Sequence, residues 1–156
     1  MPSPQSQSLA GIALLESDMK RAGSILDKAY KSAPTDTAVL RAQVARYAAN
    51  RDASKVLQFA NQLIELNVDD LFALSAAIQA KISLQQNDSV ETYLSELSQK
   101  FPNAWGPDFI LAQHHLSRAN IDLAQHHADT ALARSSFNQI TSRLATQIYL
   151  MKAQQQ

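Results

Sequence analysis

The sequence predicts an all-α fold, a solenoid of stacked helical hairpins, on three observations. Chain breakers recur every 34 residues, with Pro34, Val68, Pro102 and Ser136 at the centres of the turns. A second set of turn residues, Asp18, Asp52, Gln86 and Asn120, repeats at the same 34-residue interval between them. The composition agrees: the 156 residues include 25 alanines and 16 glutamines but only three glycines, against about 7% glycine in an average domain. A period of this size means supersecondary units that bury each other's faces, whereas a plain antiparallel bundle needs no fixed period.

Nine helices follow in order. The first, about 5–17, carries the short apolar run Leu9 to Leu15 and stops at Ser17-Asp18. The second, about 19–32, places Met19, Ala22, Ile25, Leu26, Ala29 and Tyr30 at spacings of three and four, one face of a helix, and ends before Pro34. A third, about 36–50, lies between Asp36 and Asn50-Arg51-Asp52. The fourth, about 53–67, has a broader apolar face of Val56, Leu57, Phe59, Ala60, Leu63, Ile64 and Leu66. Helices at about 70–86 and 88–101 are divided by Gln86-Asn87-Asp88, and those at about 105–118 and 121–135 by Ala119-Asn120. Asp and Asn suit these junctions because their side chains accept from the first free N–H groups of the next helix; Asp69-Asp70 and Asp88 are read in this way. The last helix, about 138–154, carries Ile140, Leu144, Ile148 and Leu150 and has no hairpin partner, so it is expected to cap the apolar edge of the unit before it. Strict alternation over a strand-length window does not occur.

Charge and residue usage remove several function classes. Fourteen basic and fourteen acidic side chains give a formal charge of zero, without the basic footprint of a nucleic-acid protein. The absence of cysteine removes disulfides, thiolate catalysis and cysteine-ligated metal sites, and is neutral about compartment. The N-terminus lacks a basic segment and a long apolar run, so it does not read as a secretory signal. No window approaches the ~18 consecutive apolar residues of a spanning helix. A soluble chain without membrane insertion is expected, its compartment unassigned. The abrupt start at the first helix reads as that of a fragment of a longer protein. There is no G-x-S-x-G, no phosphate-cradling glycine loop and no H-E-x-x-H, so no enzymatic activity and no cofactor are expected.

The 34-residue period, the helix–turn–helix unit and the proline near its end resemble the tetratricopeptide repeat, with its W-x2-L-G-x2-Y, A-x3-F and P pattern. With position 1 at Ser3, Thr37, Leu71, Trp105 and Gln139, the small or apolar position 8 is Ala10, Val44, Ile78 and Ala112. Position 20 is Ala22, Val56, Val90 and Ala124, and position 27 is Ala29, Leu63, Leu97 and Ala131. Tyr47 and Tyr149 occupy the tyrosine position, where Lys81 and His115 stand in the other units. The resemblance covers nearly the whole chain, with repeats at about 3–36, 37–70, 71–104 and 105–138 and the capping helix at 139–154. It implies a single domain over 1–156, a right-handed α-solenoid of tetratricopeptide-like repeats with a C-terminal capping helix.

The resemblance also implies a concave groove lined by the first helix of each unit. Its position 5 reads Gln7, Arg41, Ser75, Phe109 and Arg143, and its position 9 reads Gly11, Ala45, Gln79, Gln113 and Gln147. Stacked units would present the three glutamines as a ladder for the backbone of an extended peptide; general glutamine richness explains the register equally well. Phe72 and Phe109 add apolar area or pack between helices, and Arg41 and Arg143 suit bidentate carboxylate pairing or an ordinary solvated surface. The polar clamp with which some members hold acidic chaperone tails is not matched, since Gly11, Ala45 and Ser75 stand at the corresponding positions.

Four histidines form two adjacent pairs, His114-His115 and His126-His127, in the two helices of one unit. Neighbours on a helix point about 100° apart, so a metal would need one histidine from each helix. His115 and His127 are that pair, with Asp122 or Asp129 as a carboxylate ligand; a hydrogen-bonded or exposed cluster, or a pH response near neutrality, are the other readings. The function expected overall is a non-catalytic scaffold that binds a protein or peptide through Arg41, Phe72, Ser75, Gln79, Phe109, Gln113, Arg143 and Gln147. The alternatives are a regulatory or docking segment of a larger enzyme or secretion or assembly machine, and a self-associating module that pairs through Leu9, Ile12 and Leu15.

Overall fold

The computed structural model describes residues 3–7, 10, 18–86 and 90–155. Among them the chain is all-helical, without strands. Residues 4–7 and Ala10 are helical; the remainder of the expected first helix, with Leu9, Gly11, Ile12 and Leu15, lies outside the described residues, as do Asn87 and Asp88. Eight helices follow: α1 Met19–Ser32, α2 Thr37–Ala49, α3 Ala53–Leu66, α4 Leu71–Ser83, α5 Val90–Lys100, α6 Gly106–Ser117, α7 Ile121–Arg134 and α8 Gln139–Gln154. No helix among the described residues is long and apolar enough to cross a membrane.

The junctions behave as their residues dictate. Side-chain oxygens of Asp18, Asp36, Asp52 and Asp70 accept from the backbone N–H three residues on, at 3.0, 3.0, 3.2 and 3.1 Å. Asn138 does the same for Thr141 at 2.8 Å, whereas Asn120 makes no such bond. Asp36, Asp70 and Asn138 lie in one 34-residue register in which the third member is Ala104, a residue with no cap to offer. A carboxylate from elsewhere supplies it: Asp69 Oδ1 accepts from Trp105 N at 2.9 Å and Gly106 N at 2.7 Å. Gly106 is required by that approach, since a Cβ there would lie 3.0 Å from Asp69 Cα and from Leu74 Cδ1.

Helices α2, α4 and α6 end in the same way. Arg51, Gln85 and Ala119, spaced by 34, have φ of 56°, 60° and 61°. Each donates to the carbonyl three residues back, and its successor to the carbonyl five residues back (Asp52 to Tyr47, Gln86 to Lys81, Asn120 to His115). That is the double bond pattern of a Schellman cap. It stops α4 at Ser83, three residues short of the expected boundary. Holding a non-glycine residue in this region costs about 1–2 kcal/mol, so the cap bonds and flanking packing fix the turn rather than residue preference.

The chain divides into two compact units, Met1–Asn67 with Ser75–Asn87, and Val68–Leu74 with Asp88–Gln156. In the first, α1 packs on α2 and α2 on α3. Leu26, Leu40 and Leu63 are fully enclosed, and the Phe59 ring meets Tyr30 edge-on at 5.2 Å and stacks on Tyr47 at 5.5 Å. In the second, α5 packs on α6, α6 on α7 and α7 on α8. Its core joins Phe109, Ala112, Ile121, Ala124, Ala128, Ala131, Leu144, Ala145 and Ile148. Five alanines in that set let the helix backbones approach closely, leaving little space for a larger side chain.

Candidate functional site

An open pocket of about 300 Å³ lies in the second unit, lined by Phe109 and Gln113 of α6 and by Gln139, Ile140, Arg143, Leu144 and Gln147 of α8. It gathers four of the eight residues named from the sequence. Successive turns of α6 supply Phe109 and Gln113, and α8 supplies Arg143 and Gln147 at the same spacing of four, so the two pairs line one side of each helix. Gln113, Arg143 and Gln147 are exposed, while Phe109 is 7% exposed and belongs to the core, held edge-on against Trp105 at 6.0 Å. Its ring is therefore a floor rather than a free contact group. Among the described residues no carboxylate lines the pocket.

The other four lie elsewhere. Arg41, Phe72 and Ser75 are exposed. Gln79 is exposed too and borders a separate depression of the first unit, with Arg51, Asp52 and Val56 among its walls. Gln139 and Ile140 were not among the expected contact residues. The sequence signal for them is that the first turn of α8 must pass the same edge of α6 as Arg143, one turn later. Ile140 also belongs to a set of exposed apolar side chains at this end of the chain, with Phe137, Leu150 and Met151.

Behind the pocket, α6 presents a polar cluster to α5 and α7. Asp108 is 4% exposed. It accepts from His127 Nδ1 at 2.9 Å, Ser98 Oγ at 2.6 Å and Arg134 Nη1 at 2.9 Å. Arg134 Nη1 also reaches Ser98 Oγ at 2.8 Å and the Ala104 carbonyl at 3.2 Å. Burial pushes the Asp108 carboxyl up, but the bonds from His127 and Ser98 and the charges of Arg134 and His127 outweigh it and hold the group below the usual carboxylate range. The carboxylate thus stays ionised at neutral pH and ties three helices together.

His115 and His127 do meet across the α6–α7 hairpin, with their rings parallel to within 6° and 5.4 Å apart. The carboxylate beside them is Asp108, not Asp122 or Asp129. Asp122 pairs with Lys152 at 3.2 Å, and Asp129 accepts from the Tyr149 hydroxyl, a bond that, with burial, pushes that phenol up. His127 spends its Nδ1 on Asp108 and faces His115 ring to ring, an arrangement for stacking rather than convergent ligation. Among the described residues no group of three or more His, Cys, Asp or Glu side chains could hold a metal ion.

Comparison with known proteins adds no relative to this geometry: no protein-family model matches the chain, and no curated protein matches it significantly.

Proposed function

We propose that this chain is a non-catalytic interaction scaffold, a right-handed tetratricopeptide-like α-solenoid that binds an extended acidic segment of a protein partner in the pocket between α6 and α8. The observation that carries the reading is the meeting of Phe109, Gln113, Arg143 and Gln147 around one open pocket that, among the described residues, has no carboxylate. Glutamine amides offer both a donor and an acceptor to a peptide backbone. Arg143 offers a planar fork to a carboxylate, and Phe109, Ile140 and Leu144 give an apolar base for a neighbouring side chain. The repeat reading is supported by the 34-residue recurrence of the Schellman caps at Arg51, Gln85 and Ala119. It is supported equally by the burial of Ala22, Val56, Val90 and Ala124, and of Ala29, Leu63, Leu97 and Ala131, at their two registers. The missing catalytic motifs favour a scaffold over an enzyme.

Random dodecapeptides displayed on phage and selected against the immobilised chain test this. Selected peptides are expected to be rich in Asp and Glu beside an apolar residue. Arg143→Glu is expected to weaken their binding at least tenfold, and the pair Gln113→Ala with Gln147→Ala by about thirtyfold, at ~1 kcal/mol for each hydrogen-bonding side chain removed. The same charge reversal at the exposed Lys28, in the other unit, leaves affinity unchanged. Peptides that bind Arg143→Glu as tightly as the unaltered chain would refute the assignment.

A further inference from the structure

The stacked ring pair is built twice in this chain. Tyr47 and Phe59 lie 5.5 Å apart with their planes 8° from parallel, and His115 and His127 lie 5.4 Å apart at 6°. The second pair stands 68 residues after the first at both positions, two full periods. Each stack joins the two helices of a hairpin, α2 to α3 and α6 to α7. The first unit makes this joint from rings that stay uncharged through the acid range; the second makes it from two imidazoles, the side chain that changes charge closest to neutral pH.

The surroundings of His115 in the second joint favour a neutral ring. His115 is 5% exposed, and its Nδ1 is buried without a hydrogen-bond partner, so nothing waits there to receive a charged ring. Each of α5, α6, α7 and α8 carries charged or titratable groups. From α5, the Glu91 carboxylate accepts from His114 Nε2 at 3.0 Å. From α6 and its end come His114, edge-on to His115 at 5.5 Å, Asp108 on His127, and the cation of Arg118. From α7 come His126, edge-on to His127 at 5.2 Å, and Arg134, already paired with Asp108. From α8, Lys152 is engaged with Asp122 and Gln125, and Tyr149 with Asp129. Among the described residues, the carboxylate that touches the stack is Asp108, which accepts from both His127 and Arg134.

We propose that the His115–His127 stack is an acid-sensitive joint: a proton added to the buried His115 ring as the pH falls puts a cation face to face with the His127 ring inside the hairpin and opens the α6–α7 contact of the second unit. Burial holds the His115 imidazole below its ordinary value; Glu91 opposes it, and the nearby His127, His114 and Arg118 each add a smaller effect in the same direction as burial. The unfolded chain therefore takes up a proton at about pH 6.5, before the folded one does. Stability rises with pH wherever the unfolded state binds more protons, so it falls as pH drops from about 6.5 towards the depressed folded value. Asp108 acts in a separate, lower window, since its folded pKa lies below the carboxylate range.

Urea unfolding of the full chain at a series of pH values between 5 and 8 tests the joint. The folded-to-unfolded ratio is expected to fall by up to tenfold per pH unit below about 6.5, the limit for one proton. His115→Tyr, which gives the hairpin the residue that Tyr47 supplies in the first unit, abolishes that fall, while His126→Gln, at an exposed position, retains it. An identical pH profile in His115→Tyr, or a flat profile in the unaltered chain, overturns the proposal. Should His115→Tyr fail to fold, amide exchange of the unaltered chain decides. After correction for intrinsic rates, protection in α6 and α7 must drop between pH 7.5 and 5.5 while α2, in the unit that contains no histidine, keeps its protection. Equal loss in both, or none, contradicts the joint.

Discussion

Asp108→Ala is expected to destabilise the protein by about 3 kcal/mol, the low end of the range for breaking a buried charged pair. The substitution leaves Arg134 with only Ser98 and the Ala104 carbonyl, and leaves the His127 Nδ1–H and the Ser98 hydroxyl without an acceptor. The low end applies because the Arg134 side chain is 26% exposed, so water recovers part of the loss. Asp108→Asn restores little, because an amide nitrogen would face donors that the carboxylate accepts from. Its pH signature separates the charge from the shape. A carboxyl held below its unfolded value contributes stability above about pH 4 that disappears as pH falls through the folded value. The steepest acid limb of the unaltered chain, below about pH 4, is therefore expected to flatten in Asp108→Asn. Urea midpoints at pH 7 and pH 3 measure both effects; a cost under 1 kcal/mol at pH 7 would show that Asp108 does not tie α5, α6 and α7 together.

Phe59→Ala is expected to cost about 3–5 kcal/mol, the usual range for deleting a buried aromatic ring. Phe59 is buried on α3 and touches rings from two other helices, Tyr30 of α1 and Tyr47 of α2. Truncation opens a ring-sized void and forfeits two aromatic contacts, each worth about 0.5–1.5 kcal/mol beyond area. Phe59→Leu keeps most of the volume and is expected to lose only about 1–2 kcal/mol. Urea unfolding of both variants checks the order; equal costs would mean that the ring contacts contribute nothing beyond volume.

The helices were legible because their ends are written locally. Asp18, Asp36, Asp52 and Asn138 cap the helices they precede, and the observed boundaries fall within three residues of those read from spacing. Half of the expected contact residues line one pocket because Phe109, Gln113, Arg143 and Gln147 sit on two helices of one unit. What spacing does not carry is the direction of a carboxylate. Asp69 reads as a turn residue yet caps a helix that begins 37 residues later. Asp108 stands in the first turn of α6, yet its partners lie 10, 19 and 26 residues along the chain. One signal was present: Asp108 stands in the register of Leu40 and Leu74, both fully buried, so a charge at that register requires a partner. The imidazole stack was similarly visible as His115 and His127 in the registers of Tyr47 and Phe59.

The proposed scaffold needs each hairpin to repeat the step of the one before it, which carries Gln79, Gln113 and Gln147 into a ladder. A chain without cysteine lets this be measured directly, with spin labels on cysteines introduced in pairs at these three exposed positions. Electron–electron dipolar distances for 79–113 and 113–147 are predicted to be equal within label width, with 79–147 longer than either. A 79–147 distance no greater than the other two, as a closed bundle demands, would contradict the account.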